Sequence, residues 1–566
     1  MKKLSFNDEQ LQRFEAMMNG DLPKASKFSR EGRLYGRWIK SQKRRSGTHD
    51  WADPSTCLVR VSGEKPYVRA GMMGYRGEYA GTQRVISGPQ QWQTTTNFGG
   101  GFNPNVVGAP SPVIGTPLGR HVTTFAEVGC DPLAWFREGI ISNPSCFVLS
   151  LPGLGKSTLI RKMLMGNVAQ GQVPIIAGDI KAEYVGFTHQ VGGQVITIGH
   201  GKDHLNPLDV GALGRVIPRL EANREVLESQ GLAGLIDRAK EQVHGRQVTM
   251  IATLVSLGRG EPPADFEVML ISAAIREIYR SQKVDWLNPP VLADLIDLLE
   301  AGTPALREKA RAREDHLWSS RVDNLVLSLN SLLDGATGQI FSGQTTTPIE
   351  VDSTAVCIDV SSIDRGDSAM KAAVMLSCWS AAFGAIEAAH LLADAGLGPQ
   401  KLFSVALDEM WQVLASAPGM VSQVDALTRL NRTDATALSM ITHTFKDLEA
   451  LPTEEDRITA MGFIERAGMV VCGGLPTSEL EILSTRLEFT DAEAQMITSW
   501  STGAPPKRSR TRGAKATPPG RGRFMIKPSK DGSPGIPVQT VLMPTEIKHR
   551  LHDTNIRFDD FFVAGD

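Results

Sequence analysis

The stretch that leaves this chain least freedom is Ser145–Thr158, SCFVLSLPGLGKST. Cys146-Phe147-Val148-Leu149 has the length and composition of a buried strand. It breaks at Pro152-Gly153-Leu154-Gly155, and a helical pattern opens at Lys156 and runs on through Leu159 and Ile160. Strand, glycine-rich turn and Lys-Ser at a helix start form a context in which backbone N–H groups wrap phosphates. The helix N-terminus adds a favourable partial positive charge. Leu151, Pro152, Gly153, Leu154, Gly155, Lys156, Ser157 and Thr158 are therefore the expected nucleotide-binding loop. Lys156 is expected to reach the β- and γ-phosphates and the Ser157 hydroxyl to hold Mg2+. Ser150 stands where the first glycine of such loops usually does; being small, it is expected to be tolerated, with an altered first turn.

Further buried-strand candidates follow at Val173–Asp179 and Gln194–Ile198, then at Ala355–Val360, Lys401–Leu407, Leu438–Thr442, Met469–Cys472 and Arg523–Lys527. Alternation of such strands with helical stretches favours an α/β fold with a mainly parallel sheet. Phosphate loops and acidic strand ends belong at the carboxyl edge of such a sheet. From Gly211 to Thr345 the pattern is helical instead. Val268, Ile271, Ile275 and Ile278 recur at helical spacing, as do Leu292, Leu295, Ile296 and Leu299. Asn288-Pro289-Pro290 reads as a cap with prolines in the first turn. The expected organisation is an N-terminal region over 1–112, an α/β domain over 113–210 and 346–566, and an all-helical insertion over 211–345.

With 566 residues the chain can hold two to four domains. A net charge of −2 gives no global signal for nucleic acid, so any basic footprint is local. Two such footprints exist. Residues 24–45 carry Lys24, Lys27, Arg30, Arg33, Arg37, Lys40, Lys43, Arg44 and Arg45; residues 504–523 carry Lys507, Arg508, Arg510, Arg512, Lys515 and Arg521. The first suits DNA, anionic lipid or an acidic protein surface, and equally a solvated helix face. The second has the composition of a disordered loop. The six cysteines lack metal-ligand spacing and fit a reducing compartment. MKKLSFNDEQ has no apolar segment behind its lysines and is not a signal peptide. Ala372–Ala393, the most apolar long stretch, contains Glu387 and His390 and reads as a buried core helix rather than a membrane span.

The run Leu402–Leu407 ends in Asp408-Glu409, and an apolar strand ending so, downstream of a phosphate loop, has a definite use. Asp408 is expected to bind Mg2+, directly or through water. Glu409 is expected to polarise the attacking water as general base. A carboxylate pair that merely caps the next helix is the plainer account. Phosphoryl transfer also needs positive charge on the γ-phosphate, often from a neighbouring subunit. Arg432 is the first choice for that role and Arg429 the reserve, with surface arginines at a helix end as the alternative. His443, at the end of strand 438–442, stands where a polar group could sense the γ-phosphate, or could be an ordinary surface histidine.

Taken in order, Ser150–Thr158, GDIKAEY (178–184), HLNPLD (204–209), LDEMW (407–411) and ITHTFKDL (441–448) resemble the VirB/TraC-class assembly ATPases of type IV secretion and conjugation, within the HerA/FtsK-like P-loop motors. The C-terminal GRGRFMIK, IPVQTVLMPTE and HDTNIRF resemble that family's end, and the likeness spans roughly residues 113–560. It implies a RecA-like ATPase core with a helical insertion, and hexamers that bind ATP and Mg2+ between subunits. It also implies service at membrane-embedded secretion channel proteins, on the inner face of the cell membrane. Arg432 matches the family's trans-acting arginine by its spacing to the sensor strand, whereas His443 replaces its glutamine. Asn206 and Pro207 match a motif near the nucleotide. Two other readings stay open: a DNA-translocating motor of the coupling-protein or FtsK/HerA kind, touching DNA through 24–45 and 504–523, and a nucleotide-binding scaffold. The absence of N-terminal membrane helices favours the assembly ATPase; the basic stretches favour the DNA motor.

Overall fold

The computed structural model describes residues 111–199, 201–363, 368–416, 420–428, 436–503, 518–528 and 534–552, with 8–19, 23, 29, 31–36 and 38 near the N-terminus. The chain divides into two compact units, Met1–Pro104 and Asn105–Asp566. In the first, helix Asp8–Asn19 buries Phe14 and Met17 against Tyr35 and Trp38. The residues 41–110 lie outside the described ones, as do most of 24–45.

The second unit is built on one eleven-stranded sheet of order β2-β1-β11-β10-β9-β3-β8-β7-β4-β6-β5. The strands are β1 (Pro117–His121), β2 (Glu127–Gly129), β3 (Ser145–Leu149), β4 (Gln172–Asp179), β5 (Gln194–Thr197), β6 (Val356–Asp359), β7 (Leu402–Leu407), β8 (Thr436–Thr442), β9 (Met469–Cys472), β10 (Arg523–Lys527) and β11 (Ile536–Thr540). The seven strands from β9 to β5 pair in parallel, as the alternating pattern predicts. β10, β11, β1 and β2 extend that sheet antiparallel.

Because successive residues of a strand face opposite ways, the sheet divides the interior into two cores. Phe147 and Leu149 join Ile175, Ala177, Val405 and Leu407 on one face. Cys146 and Val148 join Ile176, Ala406 and the buried side of helix Lys156–Ala169 on the other. A strand covered on both faces needs no polar alternation, which is why Cys146–Leu149 is apolar and the whole strand is buried. The first face carries helix Ser368–Asp394, whose Trp379 donates its Nε1–H to the Ala177 carbonyl at 2.6 Å. Among the described residues its span Ala369–Asp394 alone is long and apolar enough to cross a membrane, and 89% of its apolar window is buried.

Between β5 and β6 the chain is helical from Ala212 to Phe341, and this segment packs on the Ser368–Asp394 helix. Arg246 on helix Gly234–Arg259 grips Glu387 with two bonds, of 3.1 and 2.5 Å. One local expectation is corrected. Helix Leu292–Ala301 has Val291 as its N-cap, so Pro289 and Pro290 precede the helix instead of filling its first turn. The cap N–H is taken by the Asp294 carboxylate at 2.9 Å. The proline carbonyls serve elsewhere: Pro289 accepts from Gln344 at 2.5 Å and Pro290 from Asn206 at 2.9 Å.

Candidate active site

The register of the parallel strands brings four strand ends to one edge. Leu149 of β3 pairs with Thr442 of β8, and Leu407 of β7 with Met440, so residues 150–156, His443 and Asp408-Glu409 follow side by side. β8 lies between the phosphate-loop strand and the Asp-Glu strand, which inserts His443 between Lys156 and Glu409. β4, on the far side of β7, adds Asp179 and the turn after it.

The loop after β3 turns on two glycines, Gly153 (φ 79°) and Gly155 (φ 101°), in the left-handed region that side chains avoid. Its outer strut is the exit of β9: Leu151 N–H donates to Gly474 O at 3.2 Å. The Leu154 carbonyl accepts from Gly522 N–H at 2.8 Å. Helix Lys156–Ala169 begins at once, with Gly155 as N-cap. Lys156 is buried, and its ammonium donates to Ser150 O at 2.7 Å and to Nδ1 of His443. Burial, opposed by the nearby Asp408 and Glu409, brings Lys156 down to about 8.

Since Lys156 offers only hydrogens, Nδ1 of His443 accepts and the ring proton sits on Nε2. Nε2 then donates to Glu409 Oε1 at 2.7 Å. Lys181 pairs with the same oxygen, and Trp411 Nε1–H donates to Oε2 at 2.8 Å. Burial opposes the charge on Glu409, but the bonds from His443 and Lys181 win and hold its carboxyl down at about 2. Glu409 itself takes a left-handed backbone (φ 54°, ψ 32°) as N-cap of helix Met410–Leu414. That conformation costs a non-glycine residue about 1–3 kcal/mol, and such outliers cluster at functional sites.

Asp408, half-buried, stands beside it in this wall. It accepts from Tyr184 Oη–H at 2.9 Å and from the Glu409 N–H at 2.9 Å. Burial, then the Glu409 charge, push its carboxyl up. Tyr184 and Lys181 are set by Asp179, whose carboxylate accepts from the N–H groups of Lys181, Glu183 and Tyr184 at 3.2, 3.1 and 2.7 Å. Burial outweighs those bonds and raises Asp179 to about 6.

Of the residues singled out from the sequence, Lys156, Glu409 and His443 thus form one bonded chain, with Asp408 beside them and Ser157 one residue into the helix. Arg429 and Arg432 lie outside the described residues. Asn206 is a structural clasp: its amide donates to Pro290 O and to Gln344 Oε1 (3.1 Å) and accepts from Leu208 N–H (3.0 Å). Sequence reasoning missed Lys181, Tyr184 and Trp411, although GDIKAEY and LDEMW contain them; a lysine two residues past an acidic strand end was the available signal.

Among the described residues no cluster of three or more His, Cys, Asp or Glu side chains forms a metal cage. A hydroxyl and one carboxylate suit Mg2+, which keeps waters and takes its remaining oxygens from a substrate's phosphates.

No family model and no curated protein matches this chain. Among solved structures, VirB4 of Thermoanaerobacter pseudethanolicus matches with a TM-score of 0.56 at 18% identity, over 78% of this chain and 100% of that one. The bacterial conjugative coupling protein TrwB matches less well, with a TM-score of 0.42 at 11% identity over 71% and 84% of the two chains. Its complex with ADP and Mg2+ gives 0.39 at 13% identity over 73% and 88%. The protein has the fold of a P-loop ATPase. Specifically, its large, mostly parallel sheet with a helical segment is the VirB4 fold.

Proposed function

We propose that this chain is an ATPase whose Mg2+-dependent hydrolysis drives assembly or substrate transfer in a conjugation-type (type IV) secretion system. The observation that carries the reading is the bonded chain Lys156–His443–Glu409 across the carboxyl edge of a VirB4-like sheet. In this reading the N–H groups of Leu151–Thr158 wrap the phosphates and Lys156 meets the β- and γ-phosphates. Ser157 and Asp408 hold Mg2+, and Glu409 takes the proton of the attacking water. His443, touching both Lys156 and Glu409, senses whether a γ-phosphate is present. Arg432, or Arg429, reaches the phosphate from the neighbouring subunit of a homo-hexamer working at the cytoplasmic face of a membrane-embedded channel. A buried lysine bonded to a loop carbonyl and an imidazole nitrogen, and to no carboxylate, supports the phosphate assignment, because an anion supplies the counter-charge.

The test is steady-state ATP hydrolysis by the full chain, with and without DNA, beside Lys156→Ala and Glu409→Gln. Glu409→Gln is expected to lower the rate by about 10²–10⁴-fold, the range for a general base. Lys156→Ala is expected to abolish both hydrolysis and nucleotide binding. Hydrolysis indifferent to both changes overturns the assignment of the site. The second reading, a DNA-translocating motor, is favoured by the basic stretches 24–45 and 504–523. It requires that DNA stimulate hydrolysis and that the stimulation fade as salt rises.

A further inference from the structure

Glu409 has no oxygen to itself. Oε1 is shared by Lys181 and His443, and Oε2 is held by Trp411. A carboxylate so engaged is poorly placed to orient a water and take its proton until a partner leaves. Two of the three are fixed. His443 is pinned through its other nitrogen to Lys156, and Trp411 belongs to the short helix that Glu409 caps.

Lys181 is the movable one. Its side chain is 45% exposed against 6% for Glu409, and it stands on the turn after β4 with a flexible four-carbon stem. Its Nζ also lies 3.4 Å from Nε2 of His443. Two ammonium groups therefore flank one imidazole beside the phosphate loop. Lys156 is committed to the loop carbonyl of Ser150, and Lys181 only to the base.

We propose that Lys181 is an exchangeable counter-ion, paired with Glu409 while no triphosphate is bound and drawn onto the γ-phosphate when one is, which frees Glu409 for water. A γ-phosphate offers more charge and more acceptor oxygens than a carboxylate. A diphosphate ends one group short and leaves Lys181 where it is. The exchange makes release of the base conditional on the nucleotide that can be hydrolysed. This inference rests on the ATPase reading of the site.

The experiment is equilibrium binding of ADP and of a slowly hydrolysed ATP analogue, with Mg2+, to the full chain and its Lys181→Met, Lys181→Arg, Glu409→Gln, Lys156→Ala and Lys181→Met/Glu409→Gln variants. Lys181→Met is expected to weaken analogue binding about tenfold while ADP binding stays within about twofold, with Lys181→Arg keeping most of the discrimination. Glu409→Gln removes the charge that Lys181 must leave, so it should tighten analogue binding several-fold, and the double variant should lose that gain. A merely structural ion pair would lower the melting temperature of Lys181→Met and leave the analogue-to-ADP ratio unchanged; that ratio unchanged overturns the proposal. If Lys181→Met does not fold, Glu409→Gln decides, and no tightening overturns it. Binding abolished by Lys156→Ala yet indifferent to Lys181 sinks this inference alone. A wild-type chain that binds neither nucleotide sinks the ATPase reading with it.

Discussion

Ser150 and Gly473 share one small volume. A Cβ on Gly473 would lie 2.2 Å from Ser150 Oγ and 2.5 Å from its Cβ, so the serine on β3's exit is housed by the glycine on β9's exit. The two exits are bonded, Gly473 N–H to Leu149 O at 2.8 Å. Ser150 is fully buried and does not take the left-handed conformation, so the loop's first turn has no need of glycine's freedom there. Gly473→Ala is expected to overpack the pair, at about 1–3 kcal/mol, and to weaken nucleotide binding. Ser150→Gly should recover most of that loss in the double variant. Thermal denaturation of the four chains measures the coupling; strictly additive losses would remove the pairing as an explanation.

The lowered Lys156 predicts a pH dependence with a definite sign. Burial brings the group to about 8 against the pull of Asp408 and Glu409. Below that value the ammonium is already charged and phosphate binding draws no proton. Above it, binding must take one up, so nucleotide affinity should fall toward roughly tenfold per pH unit. Stability moves the opposite way. The unfolded lysine keeps its proton to a higher pH than the folded one, so between about 8 and 10.5 the free chain should gain stability as pH rises. Calorimetric titration with ADP from pH 7 to 9.5 checks the first effect, and a flat profile would contradict it.

Asn206 lies in a motif that the family resemblance sets near the nucleotide, yet its amide is spent on joining the start of the helical segment to Pro290 and Gln344. Asn206→Ala leaves a buried carbonyl and the Leu208 N–H without partners, at about 1–3 kcal/mol. The expected outcome is a lower melting temperature with nucleotide affinity preserved at 25 °C. Loss of affinity in a folded variant would return Asn206 to the nucleotide site.

The parts of this molecule that were legible in the sequence are those specified over a few residues. Phosphate loop, Asp408-Glu409 and His443 each sit at the end of an apolar run whose length marks it as a strand, and one topological rule sends them to the same edge. Lys181 and Trp411 were not legible because what they do depends on β4 lying beside β7 and on a left-handed Glu409, which no spacing encodes. β1, β2 and β11 were missed for a related reason. PLGRH, EVG and IPVQT are short and partly polar, the first and last carry a proline, and pairing across the length of the domain makes them strands. Pro289-Pro290 misled because a cap pattern in sequence cannot show that the Asp294 carboxylate caps the helix at Val291, three residues past Asn288.

The C-terminal described segment is fastened to the phosphate-loop helix by adjacent residues of that helix. Arg161 donates to Leu551 O at 2.8 Å, and Lys162 pairs with Glu546 at 3.1 Å where each side chain is only 6% exposed. His552 Nε2 completes the cluster 3.3 Å from Glu546. Burial works against the Glu546 charge, but the bonds from His552 and Lys162 override it and hold its carboxyl below the usual range. A depressed carboxyl contributes stability above about pH 4.3, its unfolded value, and loses it as pH falls through the folded one. Glu546→Gln leaves Lys162 buried without its counter-ion, which should cost about 3–5 kcal/mol. Lys162→Met placed on top should restore most of it, since no buried charge is then left unpaired and the glutamine can keep the bonds with Met543 N–H and His552. Hydrogen exchange at 546–551 should rise in Glu546→Gln at neutral pH, and in the wild-type chain only on acidification below the unfolded carboxyl's range. Protection unchanged in Glu546→Gln would show that apolar contacts hold this segment and that the ion pair is incidental.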